Sequence, residues 1–154
     1  MQPSRRHTLR IAGSTALHAA LAGLGLLGTS AVRAALPDAF GATTLADALR
    51  ALGVAAPPVS DAIVLDAPDV AENGAVVPVA VRSRLPGTDR IALLVENNPQ
   101  PLAAVYEVLG GLEPEIGSRI KMADSSAVHA VVRAEGRYYV TRRDIRIVLG
   151  GCVA

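Results

Sequence analysis

The chain has 154 residues, 51% of them hydrophobic, and 15 Lys and Arg against 14 Asp and Glu give a net charge of +1. That length suits one ordinary domain. A near-neutral charge with no basic cluster excludes a nucleic-acid binder.

The first 35 residues read as an export signal. Arg5-Arg6 opens a basic stretch, Ile11 to Leu27 is apolar, and the small-residue site Val32-Arg33-Ala34 follows, with cutting expected after Ala34 or Ala35. This is the n-region, h-region and cleavage-site order of a bacterial signal, and the paired arginines point to the twin-arginine (Tat) route and a periplasmic destination. Gly13, His18, Gly23 and Gly25 interrupt the apolar segment, which makes it a poor spanning helix of roughly 20 apolar residues. No membrane attachment is expected after cleavage. Removing Arg5, Arg6, Arg10 and Arg33 leaves eleven basic against fourteen acidic residues, a net charge of −3.

Only His129 and Cys152 then remain of the usual zinc ligands, too few for a Cys/His site within one chain. The periplasm is oxidising, and an unpaired cysteine there is either an intermolecular link or a working thiol.

Residues 36–58 form a lead-in, a short helix and a linker. Thr44 as N-cap with Asp47 three residues on is a weak capping box. Leu45, Ala48, Leu49 and Leu52 share one helical face, and Gly53 supplies the stop; the helix is expected over 44–52. Ala55-Ala56-Pro57-Pro58 is the linker.

Strand periodicity takes over for residues 59–149. Expected strands are Ile63–Leu65, Ala75–Ser83 after the Asn73-Gly74 turn, Ile91–Glu96, Leu102–Leu109, Ser118–Met122, Val128–Ala134, Arg137–Thr141 and Ile145–Leu149. Pro78 cannot donate to a ladder, so its strand is expected at an edge or to carry a bulge. Val128–Ala134 and Arg137–Thr141 face each other across Glu135-Gly136 as a hairpin. Seven or eight short strands with Gly, Pro and Asn turns between them predict an antiparallel β-sandwich or barrel.

Most polar groups carry no signal for chemistry. His129 sits in a strand pattern on its expected polar face, Tyr138-Tyr139 fit core and rim packing, and Arg142-Arg143-Asp144 reads as a charged turn. The carboxylates Glu113, Glu115, Asp66, Asp69 and Glu72 lie in turns with no spacing that selects for acid-base work. The serines lack nucleophile-elbow glycines. No catalytic residue, cofactor site or metal site is expected.

Residues 150–154, Gly150-Gly151-Cys152-Val153-Ala154, differ from all of these. The two glycines allow hinge motion, and they place the only thiol of the chain on a flexible arm beyond the last strand. Three residues past Leu149 give about 10 Å of reach. No helix terminus or basic cluster is guaranteed beside the sulfur, so its pKa need not be lowered. That suits a carrier acted on by other proteins better than a catalyst. An intermolecular disulfide, in a β-sandwich binding or assembly module, is the alternative.

The chain resembles the SoxY family, carriers of the bacterial thiosulfate-oxidising system. The resemblance rests on Pro68-Asp69-Val70-Ala71-Glu72-Asn73-Gly74-Ala75-Val76-Val77-Pro78-Val79, on Glu96-Asn97-Asn98-Pro99-Gln100-Pro101, on Ser118-Arg119-Ile120-Lys121-Met122-Ala123, and on Gly150-Gly151-Cys152. It implies an immunoglobulin-like antiparallel β-sandwich with one short N-terminal helix and a C-terminal arm. It implies that Cys152 is the covalent attachment point for a sulfur substrate such as thiosulfate, with Gly150 and Gly151 as the hinge. The implied partners are a SoxZ-like subunit in a heterodimer, a haem c enzyme that loads thiosulfate, a hydrolase that releases sulfate and, in some members, a sulfane dehydrogenase. The family's arm continues with two glycines after the cysteine, where this sequence has Val153-Ala154. A β-branched valine makes that tip stiffer and bulkier.

Overall fold

The computed structural model describes residues 36 and 38–148. The expected signal peptide and the arm residues Gly150, Gly151 and Cys152 lie outside them. Among the described residues no helix is long and apolar enough to cross a membrane.

Eight strands form two sheets. They are β1 (Ile63–Asp66), β2 (Val70–Ala71), β3 (Val77–Ser83), β4 (Thr88–Val95), β5 (Leu102–Glu107), β6 (Glu115–Ile120), β7 (Ser126–Ala134) and β8 (Arg137–Ile147). The small sheet has the order β1-β3-β6 and the large one β2-β8-β7-β4-β5. All pairings between these strands are antiparallel except β2 with β8. The protein is a mainly β, immunoglobulin-like sandwich.

The strands owe their positions to a period of two. On β3, Val77, Val79, Val81 and Ser83 are buried while Pro78 and Arg82 are exposed. These inward residues meet Ile91, Leu93 and Val95 of β4 and Val128, Ala130 and Val132 of β7 in the core between the sheets. β4 departs from the alternation because all of Arg90–Val95 is buried.

The cause is a second apolar layer on the far face of the large sheet. There α1 (Leu45–Ala51), with Leu52 and Val54, covers Ala92, Leu94, Val131 and Leu102. A strand read in sequence as one continuous apolar run, Ile91-Ala92-Leu93-Leu94-Val95, is thus a strand covered on both faces. The Tyr138 hydroxyl donates to the Leu52 carbonyl at 2.9 Å and fixes the helix end to β8.

The helix forms where its caps place it. Thr44 Oγ1 accepts from the Asp47 amide at 3.1 Å and donates to the Asp47 carboxylate at 2.7 Å. At the other end the Gly53 and Val54 amides donate to the carbonyls of Arg50 and Leu49, both at 2.9 Å. With Gly53 at φ 76° this is a Schellman stop.

The Thr44 hydrogen bond, with Arg50 beside it, holds the Asp47 carboxyl below its ordinary value of 3.8. A lowered folded-state pKa stabilises at pH above the unfolded value and is lost as pH falls through the folded one. Thr44→Ala is therefore expected to cost about 1 kcal/mol at pH 7. Denaturant titrations at pH 7 and pH 2.5 check it: part of the difference must vanish at the lower pH, once Asp47 is protonated in parent and variant alike.

The expected hairpin is present, with Glu135 at φ 50° and Gly136 at φ 74°. Both central residues are left-handed, as a type I′ turn requires. Glutamate bears a steric cost there that asparagine largely escapes. Glu135→Asn is expected to raise the midpoint of denaturant unfolding, by about 0.5 kcal/mol in stability, and an unchanged or lower midpoint would contradict the turn assignment.

Three sequence expectations are corrected. Arg142-Arg143-Asp144 is not a turn: β8 runs unbroken, and these residues pair with His129, Val128 and Ala127 of β7. The charges fit a strand because Arg142 and Asp144 face solvent and Arg143 reaches the Asp69 carboxylate at 2.8 Å. The strand expected at Ile145–Leu149 is therefore the end of β8.

Pro78 sits in the middle strand of the small sheet, not in an edge strand. β1 pairs only with Ala80–Ser83, however, so at Pro78 the strand has β6 alone beside it, in unbroken register with Arg119. The two-residue β2 is too short to leave a periodicity of its own.

Candidate functional site

The arm begins where β8 loses its last partners. On one side β2 runs parallel to it, pairing Ala71 with Ile147, and the Val148 amide donates to the Ala71 carbonyl at 3.0 Å. On the other side regular pairing with β7 stops at Ser126 opposite Ile145. Ser125 then takes over with its side chain: the Ile147 amide donates to Ser125 Oγ at 2.9 Å. Val148 is 45% exposed, so the clamped part of the strand ends there.

Three loops brace this root. The Asn97 side-chain amide donates to the Ser125 carbonyl at 3.1 Å, and its backbone amide to Ser126 Oγ at 3.2 Å. Asn98 ties the same loop to the next: its Nδ2 donates to the Lys121 carbonyl and its Oδ1 accepts from the Ala123 amide, both at 2.8 Å. The Met122 amide donates to the Gly74 carbonyl at 2.7 Å, bringing in the turn at Asn73. Gly74 lies so close to Met122 and Ile147 that a Cβ there would collide with the Met122 carbonyl oxygen. Each bond contributes on the order of 1 kcal/mol net, and together they make the end of the sandwich beside β8 rigid.

The stretches on which the resemblance rested thus converge. Residues from 68–79, 96–101 and 118–123 are far apart in sequence and gather around the start of the arm. The remaining candidates lie apart from it or do structural work. His129 Nε2 is 3.1 Å from the Glu96 carboxylate on the outer face of the large sheet, with its side chain 14% exposed. Tyr139 packs against the inner core. Glu115 pairs with Arg82 at 2.7 Å on the far side of the small sheet. Among the described residues no three His, Cys, Asp or Glu side chains gather where a metal ion could be held.

Residues 49–152 match the family described as sulfur oxidation protein SoxY. The chain belongs to the SoxY family. The matched region ends on Cys152, so it takes in the strand clamp, the bracing loops and the thiol together.

A solved structure of the sulfur carrier protein SoxY from Chlorobium limicola f thiosulfatophilum is 37% identical, with a TM-score of 0.63, over 71% of this chain and 96% of that one. A superoxide reductase (neelaredoxin) from Ignicoccus hospitalis is 16% identical with a TM-score of 0.50, over 56% of this chain and 80% of that one. A single-substitution form of that reductase is also 16% identical, with a TM-score of 0.51, over 60% of this chain and 83% of that one. These two share the fold alone. Among curated proteins none matches the chain.

Sequence reasoning found the thiol, because the chain has a single cysteine. It missed Ser125 and the closeness of Gly74 to Met122. Asn73-Gly74 signalled a turn, but which backbone the turn would press against is a long-range property. The SoxY stretch Glu96–Pro101 was a cue to Asn97 and Asn98, though not to their partners.

Proposed function

We propose that this protein carries sulfur-oxidation intermediates covalently on Cys152 and presents them to partner enzymes in the periplasm. The observation that carries this is the SoxY-family match running through Cys152, four residues beyond the point where the structure clamps β8. In the proposed cycle a haem c enzyme joins thiosulfate to the Cys152 thiolate. One S–S bond forms and two electrons pass to the haem, leaving a cysteine S-thiosulfonate. A hydrolase then adds water across the terminal S–S bond, releases sulfate and two protons, and leaves a persulfide on the arm. A sulfane dehydrogenase oxidises that sulfur where the organism has one.

The chain catalyses none of these steps. Its contribution is a firm base and a reach: Val148 is held, while Gly150 and Gly151 serve as the hinge that lets the loaded sulfur enter a cleft. A SoxZ-like subunit completes the carrier as a heterodimer.

Non-reducing electrophoresis of protein from thiosulfate-grown cells distinguishes this from a crosslinking module. A chain free of interchain disulfide as the main form is expected. A stable disulfide-linked species as the main resting form would favour the module.

A further inference from the structure

The two sheets leave one side of the sandwich open. β5 and β6 are the outermost strands of their sheets on that side, and they meet only through side chains, with the Tyr106 hydroxyl 2.7 Å from Ser118 Oγ. Between them runs a groove of about 390 Å³. Small residues, Ala103 and Ala104, line one wall, and Arg119 and Lys121 the other, with Asn98 at the end nearest the bracing loops. No carboxylate lines it. Neither Arg119 nor Lys121 has an ion-pair partner among the described residues.

We propose that this groove is the resting berth of the loaded arm, where Arg119 and Lys121 hold the anionic sulfur-oxoanion group attached to Cys152. The proposal rests on the carrier function of Cys152 given above. Two lengths agree with it. In the large sheet β8 and β5 are three strand spacings apart, about 14 Å at ~4.8 Å each. The four residues from Val148 to Cys152 span at most about 14 Å. The route is short because the Asn97–Ser125 bond joins the groove's Asn98 end to the root.

The charges match as well. A thiosulfonate ends in a negative SO₃ group, and two unpaired cations beside small, uncharged residues favour it through charge-assisted hydrogen bonds. A bare thiol offers them nothing. The berth therefore engages the loaded arm in preference to the empty one, and it keeps a labile S–S bond against the protein between visits to partner enzymes.

Loading the purified chain with tetrathionate tests this. The Cys152 thiolate attacks a sulfane sulfur, an S–S bond forms, and thiosulfate leaves, so the arm carries an S–SO₃⁻ group without any added oxidant. Intact mass reports whether the adduct forms. Amide NMR reports where it lies: on loading, signals of Ala104, Ser118, Arg119 and Lys121 are expected to shift together with those of the arm. The double variant Arg119→Gln, Lys121→Gln, both exposed positions, is expected to load equally and to lose the groove shifts. An adduct confirmed by mass with shifts confined to the arm, or groove shifts kept in the double variant, would overturn the berth and leave the carrier function standing. Absence of any adduct would overturn both.

Discussion

Gly74→Ala is expected to destabilise the folded domain by about 2–3 kcal/mol, in the range of an overpacked core substitution. The added methyl meets the Met122 carbonyl oxygen, which is backbone and cannot rotate away, and Ile147 Cγ2 lies 3.5 Å off on the other side. Relief requires the 72–76 turn to lift from the β6–β7 loop, and that weakens the hydrogen bond from the Met122 amide to the Gly74 carbonyl. For a domain of this size the loss corresponds to a fall in Tm of roughly 8–12 °C. Gly117→Ala is the control: nothing lies within 4 Å of its Cβ position in β6, and alanine is preferred to glycine in a strand by about 0.5 kcal/mol. Thermal melts of the two variants should move in opposite directions. Equal melts would mean that the turn is not pressed against the root of the arm.

Cys152→Ala is expected to leave stability unchanged and to abolish thiosulfate-dependent growth. The chain has no second cysteine to take over the attachment, so the loss should be complete. The residue lies past the clamp at Val148, and truncating it removes none of the hydrogen bonds that hold β8. Growth on an organic carbon source separates the outcomes: a variant that grows there and fails on thiosulfate supports the carrier function. Undiminished growth on thiosulfate with Cys152→Ala would end it.

What could be read in the sequence was what is decided locally. Thr44, Asp47 and Gly53 specify the helix and both its ends within ten residues, and Glu135-Gly136 specifies its hairpin in the same way. The alternation in β3 and the unbroken apolar run in β4 carry their burial directly. Errors arose where a local cue was outvoted by distant pairing. Arg142-Arg143-Asp144 has the composition of a turn, yet nine consecutive partners on β7, from Ser126 to Ala134, draw β8 straight through it. β2 exists only because Ile147 and Arg146 lie beside it.

The candidate site divides in the same way. Cys152 stands out by composition alone, and the family-bearing stretches were visible as words. That Asn98 joins Lys121 and Ala123, that Ser125 substitutes for a missing strand partner at Ile147, and that β5 and β6 leave a cation-lined groove depend on contacts across more than ten residues of sequence. No window of neighbouring residues contains them.

The central claim, that Cys152 carries the sulfur substrate, is tested most directly by intact-mass measurement of the protein taken from thiosulfate-grown cells without reductant. The account predicts a population heavier than the mature chain by sulfur or sulfur-oxoanion groups, mapping to the peptide with Cys152 and collapsing to the unmodified mass on reduction. A single unmodified mass with a free thiol, or an adduct mapping to any other residue, would contradict it.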